Sequence, residues 1–174
     1  MQWKEMLRIE LDGAYRTAEG LIDLVDENSL DWKPSARNNW MTTGQLLMHL
    51  TNGCGAGMHG FATGDWGFPE GVDPASIPPE EMLPPAEKLP AVGSVKEAKK
   101  KLAEDKALAF KTLDKCSEEQ LSTQIARAPW DENEMVLGHR FLQMVHHLNV
   151  HKAQLFYYLK LQGQPVNTMH LWGV

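Results

Sequence analysis

The sequence predicts an all-α protein: a four-helix bundle occupying residues 1–174 as one domain, with a long proline-rich loop between helices two and three. Three observations lead there. Apolar residues recur at helical spacing through four long segments, with no convincing alternating strands and no repeat. Cap pairs of the Ser/Thr-x-x-Glu/Gln type stand where helices should open. Seven of the ten prolines fall between Gly64 and Val92 (Pro69, Pro74, Pro78, Pro79, Pro84, Pro85 and Pro90), a density that no long regular element survives.

The first helix is expected over Trp3 to Glu27, where Trp3, Met6, Leu7, Ile9, Ala14, Ala18, Leu21, Ile22, Leu24 and Val25 keep the period. "ENSLDWKPSARNNW" connects it to Thr42, which with Gln45 makes a capping box opening the second helix near Thr43. That helix carries "GQLLMHLTNGCGAGMHGFA". Glycines 53, 55, 57 and 60 are poor helix formers, so it either packs closely on a neighbour or frays early. Ser94 and Glu97 open the third helix, "VKEAKKKLAEDKALAFKTLDKC", whose charge-rich first half reads as a solvated face. Ser117 and Gln120 cap a short turn. "TQIARAPWDENEM" reads as irregular, broken by Pro129. The last helix is expected from about Glu134 to Gln162, stopped by Gly163 and then Pro165.

Composition narrows the function. Hydrophobic residues make up 43% and charged residues 23%, ordinary globular usage. A net charge of -6 opposes general nucleic-acid binding and gives no support to an anionic membrane partner. No apolar run reaches spanning length, and the first fifteen residues mix charges into any apolar stretch, so a soluble cytoplasmic protein is expected. Cys54 and Cys116 form no CxxC pair and suggest no disulfide framework.

The chemistry concentrates in "MVHHLNVHKAQLFYYL", Met144 to Leu159. His147 and His151 are four residues apart, so a helix stacks both imidazoles on one face, a common metal-chelating arrangement. That face continues through Met144, Gln154, Leu155 and Tyr158 and reads as the inward stripe. His146 points about 100° away and is expected at the surface or behind a ligand rather than as a ligand itself. A catalytic metal usually takes three protein ligands. His49, flanked by Leu46, Leu47 and Leu50, is the best third; His59, His139 and His170 have weaker settings. Gln154 is a candidate for fixing an imidazole from behind. Tyr158 is a candidate pocket residue or proton donor, against a plain core reading. Asp65 and Trp66 are weaker candidates at a pocket mouth, and Cys54 reads as a small buried hydrophobe rather than a thiol ligand.

At these residues the sequence resembles the DinB-like superfamily, a four-helix-bundle group of proposed metal-dependent enzymes that includes YfiT-like proteins. The resemblance rests on a histidine in the second helix, here His49 in "LLMHL", and on an H-x-x-x-H-x-x-Q run in the last, here "HLNVHKAQ" from His147 to Gln154. It extends to "DWKPSARNNWMTTGQLLMHL", to the glycine after the last helix and to the "PVNTMHLWG" tail. It implies one divalent metal ion on His49, His147 and His151. Many members carry a further histidine and a basic–glycine pair before the glutamine; here Val150, Lys152 and Ala153 stand instead, leaving the triad untouched.

Three neutral imidazoles leave the ion its full charge, which lowers the pKa of a coordinated water or thiol. Either a bound hydroxide or a bound thiolate could then react; the resemblance, some of whose members use low-molecular-weight thiols, implies thiol S-transfer to a small electrophilic substrate. The alternatives are metal-dependent hydrolysis and a non-enzymatic, stress-associated structural bundle. Zinc is the default ion, with nickel, iron or manganese open. Six tryptophans and an apolar first helix lead to the expectation of a homodimer.

Overall fold

A computed structural model describes residues 2–34, 39–69, 71–72, 76–82 and 84–174. The expectations placed on connector residues 35–38 and on Pro74 lie outside the described residues. The protein is mostly helical with one small antiparallel sheet. Long helices α1 (Trp3–Ile22), α5 (Val95–Lys115) and α7 (Leu137–Leu161) pack with two shorter ones, α2 (Thr43–Leu50) and α3 (Cys54–Thr63). α1 packs on α5 and α7, and α3 packs on the same two helices. Leu7, Leu11, Tyr15, Leu46, Leu47, Met58, Leu113 and Phe141 are fully buried between them.

Local chemistry sets most of the boundaries. The Thr42–Gln45 capping box opens α2 with both reciprocal bonds, and Ser117–Gln120 does the same for α6 (Glu118–Thr123). Ser94 caps Glu97 at the start of α5, but the Glu97 carboxylate accepts from the Gly93 N–H instead of returning to Ser94. α1 stops at Ile22, short of Glu27, because Asp26 caps a separate 3-10 turn at Glu27–Ser29. Inside the proline-rich stretch lie the helical turn α4 (Pro79–Met82) and a 3-10 turn at Ala86–Lys88.

Two expectations need correction. The stretch 123–135 is not irregular throughout. β1 (Ile125–Ala128) pairs with β2 (Asp131–Val136), with Ile125 opposite Val136, Ala126 opposite Met135, and a register irregularity before Ala128. The alternation is real, but its buried members are the small Ala126 and Ala128 while Ile125 faces solvent, so hydrophobicity does not report it. Buried Arg140 fastens the hairpin to α7: its Nε donates to the Ala126 carbonyl at 3.1 Å, and one terminal N–H donates to the Asn133 carbonyl. α7 therefore begins at Leu137, three residues after Glu134.

The second helix is also not continuous. It breaks at 51–53 into α2 and α3, which turns the chain between His49 and the glycine-rich segment. Gly53, the residue before α3, provides no side-chain cap. The cap comes from α5: the Asp105 carboxylate accepts the N–H groups of Gly55 at 2.9 Å and Ala56 at 3.0 Å, and the Tyr15 hydroxyl donates to it at 2.6 Å. α1 is held in the same manner, with Glu118 of α6 accepting the N–H groups of Trp3 and Lys4 at 2.9 and 2.8 Å. A carboxylate at a helix N-terminus answers both the orphan N–H groups and the helix dipole. Gly55 has to be glycine, since the Asp105 backbone carbonyl occupies the place a Cβ would take.

Candidate metal centre

His49 sits in the last turn of α2, while His147 and His151 lie in the middle of α7. α2 packs against α7, which brings the three rings together. Ring centroids are 5.1 Å apart for His49 and His147, 4.3 Å for His49 and His151, and 4.4 Å for His147 and His151. Each residue offers one ring nitrogen within 4.8 Å of the others, and the Nε2 atoms of His147 and His151 are 2.9 Å apart. Nitrogens sharing one zinc ion at 2.0–2.1 Å in tetrahedral geometry lie about 3.3 Å apart. The spacing fits a shared divalent ion, and the donor set of three imidazoles suits one.

The rings are half-buried, not on the inward stripe. The buried line of α7 runs through Phe141, Val145, Leu148, Leu155 and Leu159, and the histidines sit on its shoulder. A shoulder position shelters the donors while leaving a side open. Burial, and then the neighbouring His151, lowers the His49 pKa to about 4. Burial and the surrounding imidazoles lower that of His147 to about 4 as well. Burial also lowers His151, opposed by its hydrogen bond to Gln154. All three are therefore neutral at pH 7, as metal ligation requires.

Gln154 meets His151 directly. Its Oε1 lies 2.7 Å from His151 Nδ1. An amide oxygen only accepts, so Nδ1 carries the proton and the Nε2 lone pair faces His147 and His49. Tyr158 lies elsewhere: it is buried, its hydroxyl donates to the Met41 carbonyl at 3.0 Å, and its ring stands edge-on to Trp32 and Trp40. His146 and His139 are exposed. His59 is half-buried 3.7 Å from the Asp65 carboxylate, and His170 caps α8 (Thr168–Trp172) from within. The Cys54 thiol is buried; burial and then the nearby Asp105 carboxylate push its pKa up to about 12, against the hydrogen bond with Tyr15, which lowers it.

Two contributors were not singled out by sequence reading. Gly53 lies against His147: a Cβ there would be 2.7 Å from Cε1 and 2.8 Å from Nδ1 of the ring. The α2–α3 break thus forms one wall of the site. Asp105, inside the stretch expected to be a solvated face, is instead 5% exposed and anchors the start of α3. Its signal was present. Ala98, Leu102, Asp105, Ala109 and Leu113 keep helical spacing, which puts the carboxylate on the apolar line.

The DinB superfamily profile matches residues 10–155, a span that contains all three histidines and Gln154. The chain belongs to the DinB superfamily. No curated protein matches it. The sequence resemblance and the profile match therefore agree on this DinB protein's family, and the structure places His49, His147 and His151 within reach of one ion.

Two results are expected from this geometry. Gly53→Ala should keep the helical spectrum but weaken zinc affinity by roughly 10–100-fold, the usual cost of disturbing a ligand's support; competition with a chromophoric chelator measures it. The second concerns metal-free protein. The unfolded histidines titrate near 6.5, whereas His49 and His147 titrate at about 4 when folded. The unfolded chain therefore binds protons first as pH falls. Stability from these groups is complete above about 6.5 and is lost progressively toward pH 4. Urea midpoints measured in chelator should show this, and a His49→Gln/His147→Gln variant should flatten the dependence.

Proposed function

We propose that this DinB protein is a divalent-metal-dependent enzyme whose ion is held by His49, His147 and His151, and that it transfers a low-molecular-weight thiol to a small electrophilic substrate. The observation that carries the reading is the donor set. Three half-buried imidazoles converge, and the group that could hold an ion includes no carboxylate and no thiol among the described residues. An ion held this way keeps its full charge and acts as a Lewis acid toward a thiol or water bound to it. Gln154 fixes the His151 tautomer, and the α2–α3 break backs His147. The shoulder position favours an open site over a closed structural cross-link, which would need a fourth protein ligand. Zinc is the proposed ion. In this reading α1, the α2–α3 pair, α5 and α7 form one four-helix bundle, a single domain whose longest connection is the proline-rich segment.

Protein purified without a nickel column should carry one divalent ion per chain by elemental analysis. With that ion present, it should consume cysteine or glutathione in the presence of a monohalobimane electrophile faster than the same protein stripped by chelator. Equal rates with and without metal would remove the transferase reading. A full complement of metal with no thiol consumption, but hydrolysis of activated esters, would favour the hydrolase instead.

A further inference from the structure

A second feature lies on the opposite edge of α7. Asn149, Lys152 and Ala153 face away from the histidines and, with α1 and α8, line a groove of about 830 Å³. That is within the roughly 300–1,000 Å³ usual for small-molecule sites. Lys152 is only 8% exposed, yet it has no carboxylate or hydrogen-bond partner among the described residues. Its Nζ lies over the Trp172 ring, 5.9 Å from the ring centroid. Burying an unpaired ammonium is costly, so a fold that keeps one at the wall of a groove leaves a place for an anion.

The rest of the groove defines that anion. Its charges largely cancel: Arg8 pairs with Asp114, and Asp12 with Lys106 at 3.4 Å. Arg16 and Lys152 then stand against Glu10, an excess of one positive charge. The other walls are apolar, formed by Ile9, Leu171 and Trp172, and both Ile9 and Trp172 are more than half exposed toward the opening. One net positive charge favours a singly charged anion over a phosphate, which carries close to two. One ammonium beside an aromatic face suits a monoanion with a flat apolar body.

We propose that the α1–α7–α8 groove binds a small carboxylic acid, its carboxylate at Lys152 and its flat apolar body against Trp172, Ile9 and Leu171. The site is independent of the metal centre, since Lys152 points about 100° around the helix from His151. The test uses full-length protein, calorimetric titration with 1-naphthoate, and the uncharged 1-naphthalenemethanol as control. Saturable one-to-one binding of naphthoate is expected, at least about tenfold tighter than the alcohol, the usual scale for a hydrogen bond to a charged group. Lys152→Met should abolish that preference, Lys152→Arg should retain most of it, and Trp172→Ala should weaken both ligands. Metal content should be unchanged in all three variants. Absence of naphthoate binding, equal binding of acid and alcohol, or a preference that survives Lys152→Met would overturn the proposal. So would a wild-type dimer that excludes naphthoate and dissociates on Trp172→Ala, which would give the groove to a second copy of the chain.

Discussion

Replacing His147 or His151 with alanine should strip the protein of stoichiometric metal, while replacing His146, their exposed neighbour, should leave it intact. Each triad member supplies one of three donors, so its removal costs more than the roughly 10–100-fold typical of losing a supporting partner. The remaining pair is an ordinary helical chelate or a cross-helix pair and holds zinc only weakly. Equilibrium dialysis followed by elemental analysis gives the stoichiometry, and circular dichroism shows that the fold persists. A His49→Ala/His147→Ala protein that still retains one ion per chain would move the site elsewhere. Gln154→Leu should fall between these extremes, since it frees the His151 ring without removing a donor.

The largest effect on stability is expected at Asp105. In Asp105→Ala, the N–H groups of Gly55 and Ala56 and the Tyr15 hydroxyl lose their acceptor inside the core. Buried groups left without partners cost about 1–3 kcal/mol each, and several are orphaned together. A loss of about 3–5 kcal/mol is expected, or a drop in Tm of roughly 6–20 °C at this chain length. Thermal unfolding of metal-free protein measures it. A change of under about 1 kcal/mol would mean that water replaces the carboxylate, contrary to the burial of the site. The burial that makes Asp105 costly to remove also raises its pKa, against the pull of its N–H and O–H donors.

How far the sequence carries can be judged from these residues. Helical spacing and local caps at Thr42 and Ser117 give element starts to the residue, because those signals lie within one turn of what they specify. The histidine pair is legible for the same reason, the distance from His147 to His151 being a property of a single helix. His49 is legible as a candidate only, since its position opposite the pair depends on how α2 meets α7. The hairpin is missed because its inward positions are alanines. Asp105 and Gly53 are missed because their partners stand 50 residues away for Asp105 and Gly55, and across two helices for Gly53 and His147. The charge of Asp105 argues for solvent whenever its partners are out of view.

The borrowed caps on α1 and α3 bear on how the molecule opens. Amides in the first turn of a helix ordinarily exchange with solvent within the fraying of that turn. Those of Gly55 and Ala56 are bonded to a carboxylate carried by α5, and those of Trp3 and Lys4 to one carried by α6. Neither set can be exposed by local fraying alone, because the acceptor belongs to a different part of the chain. Their deuterium uptake should follow separation of the helices, with Gly55 and Ala56 as slow as the centre of α5. The backbone beside His147 would then be a late-opening region of the molecule, and loss of its protection would report undocking of α3 from α5 before any loss of helix is seen.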